Sequence, residues 1–262
     1  MAETPKKEGW SKDAKFYTTI GILWTGVIIH EEYTWDLDRS FHQKQERWFE
    51  KDTSSGGNDK VGHVYSSYFL VRTLTPAYEH YGYTKKEALN RALFSSFLLM
   101  TTMEIADGFT SFGFAWNDMV ANSLGQYMGY LMETNPRLNE LFEFRSMPYS
   151  SFEVGHGTTD LSKHRRTVVN LKHFVALKLS GIEATKHSSL KYFDLHLGYD
   201  VFYRAATEDF DRNVFVGFNI NVGNILRNYT KSKWILAADL IQLPYTMSES
   251  FFTPGHTDLH KF

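Results

Sequence analysis

The pattern of hydrophobic and polar positions changes near residue 150. Before this point, apolar residues recur every three or four positions, which is typical of helices that bury one face. Residues 36–58 are polar and end in Gly-rich sequence, so we predict a loop there. Gly108 follows the third apolar stretch, where a left-handed C-terminal cap is expected. The four predicted helices span residues 16–29, 59–78, 85–107 and 117–132.

Beyond residue 150 the hydrophobic pattern has a period of two, which predicts β-strands. The alternation is clearest from Val214 to Val222, where every second residue is apolar and large. A later stretch has helical spacing again and ends at Pro244. We therefore expect a small antiparallel sheet of three or four strands and a C-terminal helix. The predicted strands include residues 171–179, 192–203 and 213–223, and the predicted helix spans 231–243.

Together these patterns predict an α+β protein. Residues 1–150 are expected to form an antiparallel four-helix bundle, because the connections between the helices are mostly short. Residues 151–262 are expected to form the sheet and its helix, packed on the bundle. The first predicted helix is shorter than the ~20 residues that cross a bilayer. Residues 93–103 are apolar on almost all sides, so the third helix is either central to the bundle or in contact with lipid.

The composition narrows the function classes. A net charge of −2 argues against a nucleic-acid-binding protein. The lack of cysteine excludes disulfides, thiolate nucleophiles and zinc–thiolate sites within these residues. Aromatic residues make up 16% of the chain, which favours an envelope or lipid-facing setting. The first ten residues lack the apolar core of a secretory signal, so we expect either a cytoplasmic protein or a mature form without its export signal.

Two polar clusters interrupt the second and third helices. Asp59 and His63 are four residues apart and share a helix face; alternatively, Asp59 caps the helix and His63 is an ordinary, partly buried histidine. Glu104 and Asp107 follow a long apolar run. A carboxylate there is costly to bury unless it is paired, hydrogen-bonded or protonated. Alternatively, both acids lie in water at the helix end, where the helix dipole disfavours them.

A third polar cluster opens the fourth helix. Asp118 and Asn122 share a face, and Gly125 and Gly129 extend the same stripe. Glycine at this spacing allows helices to approach closely, so we expect the stripe to face inward. The helix dipole alone would favour Asp118 in the first turn, but it gives no reason for Asn122. The remaining candidates are scattered: His156 is predicted in a loop, and His256 and His260 near an exposed C-terminus.

The order of the helices allows these clusters to form one site. A short link joins the third and fourth helices, so their connected ends must meet, and an antiparallel second helix begins at that same end. The site could bind a divalent cation, supply an acid and a base for hydrolysis, or be a buried polar network that fixes helix register. The candidate catalytic residues are His63 and Glu104; the candidate metal ligands are Asp59, His63, Glu104, Asp107 and Asp118; the polar stripe is Asn122, Gly125 and Gly129.

These motifs, in this order, resemble a known family. The pattern Asp59-Lys60-x-x-His63, Glu104-x-x-Asp107-Gly108-Phe109 and Gly113-Phe114-x-Trp116-x-Asp118-x-x-x-Asn122-x-x-Gly125 resembles the YfiM-like periplasmic lipoproteins, which have no assigned activity. A looser similarity is to VanZ-like membrane proteins, through the Asp-Lys-x-x-His start and the late Asp-x-x-x-Asn. Longer family members are also similar at Ser40-Phe41-His42 and Leu243-Pro244.

The resemblance implies location more than activity. Family members are exported, which implies the periplasm or an association with the outer membrane of a Gram-negative cell. The chain departs from the lipoprotein pattern because it has no cysteine. Contact with a membrane would therefore come from the apolar helices or the aromatic surface.

Three functions remain open at this point. The first is a non-enzymatic, membrane-associated structural or binding protein of the envelope, whose expected partners are lipid and another envelope protein. The second is a metal-dependent hydrolase or lipid-modifying enzyme that uses His63 with Glu104, Asp107 and Asp118. The third is a small-ligand carrier with a pocket between helices and sheet. An open cavity beside the polar cluster would favour an enzyme, and a closed network a structural role.

Overall fold

A computed structural model describes residues 9–34, 37, 39–45, 47–49, 54–148, 171–204, 209–232, 235–244 and 246–252. The candidates His156, His256 and His260 lie outside these residues. The order of elements confirms the predicted α+β class, with helices first, then an antiparallel sheet with short helices near the C-terminus.

Four long helices form the N-terminal part. The second of them packs against both the third and the fourth, and the first packs on the third. A Thr84–Glu87 capping box fixes the start of the third helix, since each side chain accepts from the backbone N–H of the other. The helices are α1 (Lys12–Thr34), α2 (Asn58–His80), α3 (Lys85–Asp107) and α4 (Trp116–Thr134).

A fifth helix, α5 (Pro136–Leu141), follows α4 where the sequence predicted an end before Pro136. Proline is tolerated in the first turn because its missing N–H would have no partner there. The Asn135 side chain accepts hydrogen bonds from the backbone N–H groups of Arg137 and Leu138 and so caps the new helix.

The expected left-handed cap at Gly108 is wrong. Gly108 has φ −56° in the right-handed region, and Gly113 instead has a positive φ of 80°. A Cβ at Gly108 would lie 2.3 Å from Cε2 of Phe41, so glycine is needed there for a close approach. The backbone N–H of His42 donates to Gly108, and His42 accepts from Phe114. The segment before α2 is thereby held along the α3–α4 connection.

Among the described residues the sheet has five antiparallel strands in sequence order, not the three or four predicted. Its first strand precedes residue 150 and is covered on both faces, and its apolar–polar alternation runs only from Phe142 to Arg145. The predicted C-terminal helix is also shorter than expected. The strands are β1 (Phe142–Pro148), β2 (Leu171–Lys178), β3 (Phe193–Arg204), β4 (Asp209–Ile220) and β5 (Met247–Phe252), and the short helices are α6 (Val222–Leu226) and α7 (Leu236–Leu240).

The sheet meets the bundle where β1 and α7 pack on α2. Tyr65, Tyr68, Phe144 and Leu240 form a buried cluster there, and the Tyr65 hydroxyl donates to the backbone oxygen of Leu240 over 2.9 Å. This contact positions the start of α2 beside the strands. Among the described residues, no helix is long and apolar enough to cross a membrane.

Candidate functional site: a buried network at the ends of three helices

The structure brings the three polar clusters together at one end of the bundle. Asp59 and His63 lie in the first turns of α2, Glu104 in the last turn of α3, and Asp118 and Asn122 in the first turns of α4. His63 contacts members of all three clusters. The inference that the helix ends meet is therefore confirmed, while the catalytic and metal-binding roles remain predictions.

His63 is the centre of this network. Its Nδ1 lies 3.1 Å from Oδ1 of Asn122, and its Nε2 lies 3.4 Å from Oε1 of Glu104 and 3.7 Å from Oδ1 of Asp59. Burial opposes charge on the ring, but the surrounding carboxylates outweigh it and raise the pKa of His63 to about 9. Both ring nitrogens then carry a proton and face oxygen acceptors. The acidic side chains that raise the pKa are Asp59, Asp118, Glu104 and Asp107.

Glu104 is buried, so the alternative of a solvated acid at the helix end is wrong for this residue. Its side chain is 1% exposed, and burial raises its pKa to about 8 despite the opposing charge of His63. The charges of Asp118, Asp107 and Asp59 act in the same direction as burial. At neutral pH Glu104 therefore holds its proton for most of the time. Asp107 is half-buried and acts on His63 and Glu104 through its charge.

Lys60 is the member of the site that sequence reasoning missed. Its Nζ lies 2.6 Å from Oδ1 of Asp118 and 3.2 Å from Oδ2 of Asp59, and its side chain is 1% exposed. The residue was visible within the Asp-Lys-x-x-His motif. A lysine this close to two carboxylates supplies a cation from within the chain.

The polar stripe on α4 faces α2, as predicted. Oδ1 of Asn122 accepts from Ser67 Oγ over 3.1 Å as well as from His63. A Cβ at Gly125 would lie 2.1 Å from the backbone oxygen of Val64, and one at Gly129 2.8 Å from Cβ of Val71. Helices this close leave no room for a larger residue at either position. The glycines thus set the spacing at which Asn122 and Asp118 reach α2.

Part of the cluster has the composition of a cation site. One ligand atom each from Asp59, His63 and Asp118 lie within 4.8 Å of one another, so the group could hold a metal ion. Glu104 and Asp107 do not belong to this group. Burial raises the pKa of Asp118, while His63 and Lys60 act against that rise. A metal ion would compete with the ammonium of Lys60 for two of the three ligands.

A cavity of about 390 Å³ lies further along α2, between the bundle and the sheet. Its lining includes Tyr65 and Ser66, but none of Asp59, His63, Glu104, Asp107, Asp118 or Asn122. The cavity therefore does not expose the polar network to a bound molecule.

Comparisons with known proteins bear on the helical part. Residues 45–134 match the model of a family described as predicted periplasmic lipoprotein (DUF2279). This range contains α2, α3, α4 and every residue of the network. Neither a curated protein nor a solved structure matches the chain. The segment that carries the site is thus similar to a predicted periplasmic lipoprotein family of unknown function.

Proposed function

We propose that this chain is a non-enzymatic, membrane-associated structural or binding protein of the Gram-negative envelope, located on the periplasmic side. In this proposal the bundle lies against the membrane surface through its exposed apolar residues. The buried network holds α2, α3 and α4 in register and carries out no reaction.

The observation that carries the proposal is the distribution of side chains on α4. This helix buries small and polar residues, among them Asp118, Asn122 and Gly125. Between Asp118 and Glu133 it contains no charged residue. In water a surface helix shows the opposite arrangement, with its apolar face inward and charges outward. The exposed residues of α4 carry no charge; two are the small polar residues Ser123 and Thr134, and the other five are large: Trp116, Val120, Leu124, Tyr127 and Tyr130.

Helix α3 supports the same reading. It buries Ser95, Ser96 and Glu104, and it exposes Phe94 and Phe97. The two helices pack on each other. Exposed apolar surface of this extent marks an interaction site in a monomeric protein, and small residues between helices are typical of packing in lipid.

The sheet repeats the pattern of polar residues inside and apolar residues outside. Along β3, Asp194 and Asp200 are fully buried, whereas Leu195 and Leu197 on the opposite face are 49% and 57% exposed. On β4, Phe218 is 52% exposed on that same apolar face. A lipid or protein partner would cover these residues.

The periplasmic location is supported by the family match at residues 45–134. The 262 residues contain no cysteine that could carry a lipid. We therefore assign membrane contact to the apolar surface rather than to a covalent anchor within these residues.

A metal-dependent hydrolase or lipid-modifying enzyme is the second candidate. The Asp59, His63 and Asp118 ligand atoms favour it because they lie close enough for one ion. The contact of Lys60 with two of these residues weighs against it. Elemental analysis of the wild type beside Glu104→Ala and His63→Ala separates the two. A near-stoichiometric metal lost in the variants, with hydrolysis of phosphoesters or acyl esters, would replace the proposal with the enzyme.

Flotation with vesicles of phosphatidylethanolamine and phosphatidylglycerol tests the proposed function directly. The wild type is expected to float with the vesicles. The triple variant Val120→Gln, Leu124→Gln and Tyr127→Gln should remain in the aqueous fraction, because the α4 surface becomes polar. A matched triple change at exposed positions elsewhere, Leu190→Gln, Tyr229→Gln and Leu243→Gln, should float like the wild type. The proposal fails if the wild type stays in solution, or if both triple variants float equally well.

A further inference from the structure

The cavity between the bundle and the sheet is separate from the polar network. It is bounded by Leu23 on α1, Leu70 on α2, Leu99 and Met103 on α3, and Ser146 and Pro148 at the end of β1. Its volume of about 390 Å³ is in the range of small-molecule sites. An apolar cavity of ~150 Å³ already holds benzene and stays dry, so this one can hold a considerably larger molecule.

The lining limits the chemistry of a ligand. None of the described residues that line the cavity carries a charge, and most are leucine, valine, methionine, phenylalanine or isoleucine. A charged headgroup would lose its hydration inside the cavity without gaining an ionic partner from these described residues. A hydrocarbon chain, in contrast, gains from leaving water and needs no partner.

Ser146 adds a buried polar atom to this mostly apolar surface, which also includes the hydroxyl-bearing residues Tyr65 and Ser66. The residue is 3% exposed and lines the cavity, and its Oγ has no hydrogen-bond partner among the described residues. The backbone oxygen of Ser146 accepts from the N–H of Gln242, which fixes the strand at this point. A buried hydroxyl without a partner is costly, and a ligand oxygen would satisfy it.

We propose that the cavity binds the hydrocarbon chain of a neutral acyl ester, with the ester carbonyl accepting a hydrogen bond from Ser146. The flexible Met103 side chain suits a chain of variable shape. The cavity belongs to the folded protein itself, so binding requires no membrane and is tested independently of the proposed membrane attachment.

Headspace partitioning of two volatile probes, methyl octanoate and octane, measures this binding in buffer without lipid. The wild type should take up about one equivalent of each probe. Val27 lines the cavity, whereas Ile29 on the same helix is exposed, so Val27→Trp fills the site and Ile29→Trp is its control. Val27→Trp should weaken the binding of both probes at least tenfold, and Ile29→Trp should leave the binding of both unchanged.

Ser146→Ala tests the polar contact. One net hydrogen bond contributes ~0.5–1.5 kcal/mol, which corresponds to as much as about tenfold in affinity. The variant should bind methyl octanoate more weakly by up to that factor and bind octane as tightly as the wild type does. Octanoate at neutral pH should bind the wild type more weakly than its methyl ester does.

Three results would overturn the proposal. Uptake by the wild type no greater than by Val27→Trp would show that the cavity is closed to ligands. If Ser146→Ala weakened the binding of octane and of methyl octanoate equally, the hydroxyl would not be the group that binds the ester. Tighter binding of octanoate than of the ester would contradict a neutral ligand. Thermal unfolding of each variant confirms that it is folded. Vesicle flotation of the same proteins reports on the membrane proposal separately.

Discussion

Nη2 of Arg145 on β1 lies 2.7 Å from Oδ2 of Asp194 on β3, although β2 separates the two strands and neither side chain is exposed. Across the sheet, Arg145 on β1 is paired with Phe174 on β2, and Phe174 is paired with Gly198 on β3. A Cβ at Gly198 would lie 2.2 Å from Cζ of Phe215, so the Phe215 ring already occupies the space beside Gly198. The ion pair is further held by hydrogen bonds. Gln242 accepts from Arg145, and Asn219 and Asn221 donate to Asp194.

We predict that this pair is strongly coupled. Asp194→Ala should lower the free energy of unfolding by about 3–5 kcal/mol, because the buried Arg145 charge loses the carboxylate that balances it. The double variant Arg145→Met/Asp194→Leu should be less destabilised than the sum of its single changes. Urea unfolding monitored by circular dichroism measures both effects.

The exposed pair Arg137–Glu140 is the control for that experiment. Its atoms are 3.1 Å apart, but both side chains are more than half exposed. Glu140→Ala should change stability by less than about 1 kcal/mol. Equal losses at the exposed and the buried pair would contradict the argument.

Gly125→Ala is predicted to destabilise the bundle. The added Cβ would meet the backbone oxygen of Val64 at 2.1 Å, and backbone cannot move aside as a side chain can. Overpacking of this kind costs about 1–3 kcal/mol, which exceeds the ~1 kcal/mol that alanine gains over glycine in a helix. At Gly26 in α1 nothing lies within 4 Å of an added Cβ, so Gly26→Ala should be neutral or stabilising. Thermal melts that shift alike in both variants would rule out the close contact.

Stability is predicted to fall as pH rises from 6.5 to 9. The folded-state pKa of His63 is raised from 6.5 to about 9, so its contribution is fully present below pH 6.5 and is lost as pH rises through about 9. Glu104 acts with the same sign, because its pKa rises from 4.5 to about 8 and the folded state keeps a proton that the unfolded chain releases. The contribution of His63 to the free energy of unfolding is at most about 3 kcal/mol. Urea unfolding across this pH range measures the loss.

His63→Gln is the control for the pH experiment. Glutamine keeps the capacity to donate hydrogen bonds but cannot titrate. The slope of unfolding free energy against pH should become flatter above pH 6.5 in this variant. An unchanged slope would assign the pH dependence to other groups.

Lys60→Ala is expected to turn the internal ion cluster into a site that responds to added metal. Removal of the ammonium leaves His63 as the remaining positive charge beside Asp59 and Asp118, and it should lower the free energy of unfolding by about 3–5 kcal/mol. Mn²⁺ or Zn²⁺ that binds only the folded state would restore about 2.7 kcal/mol at a hundredfold excess over its Kd. The wild type should show no such gain in thermal melts. Equal stabilisation of both proteins would show that Lys60 does not compete with metal.

Much of the helical part could be predicted from sequence, because its signals are local. The period of the apolar residues located α2, α3 and α4 within a few residues. The short link between α3 and α4 forced Glu104 and Asp118 to one end. The network itself depended on facts that sequence does not carry, above all the direction in which Lys60 points. A charged residue in a first turn is normally solvated, and only packing shows that this one is buried.

The sheet was harder to predict for a physical reason. Strand β1 is covered on both faces, and its alternation of apolar and polar residues ends after Arg145, a run of four residues that is too short to predict a strand. In β3 and β4 the alternation was visible, but which face was buried was not. Alternation along a strand shows which residues share a face of the sheet, and the apolar face is normally assigned to the core. Here Asp194 is buried and Leu197 is exposed.

The sequential order of the strands has a consequence for how the protein is made. Each described strand pairs along its length with its neighbours in sequence, and Ser146 of β1 also bridges to Ile241 near the C-terminus, so the sheet can grow by adding hairpins before that distant contact forms. During synthesis from the N-terminus, β1 can pair as soon as β2 has been made. Arg145 and Asp194 meet once β3 joins. Gln242, which completes their hydrogen bonds, arrives near the end of the chain. The last steps of folding therefore close the charged interior rather than begin it.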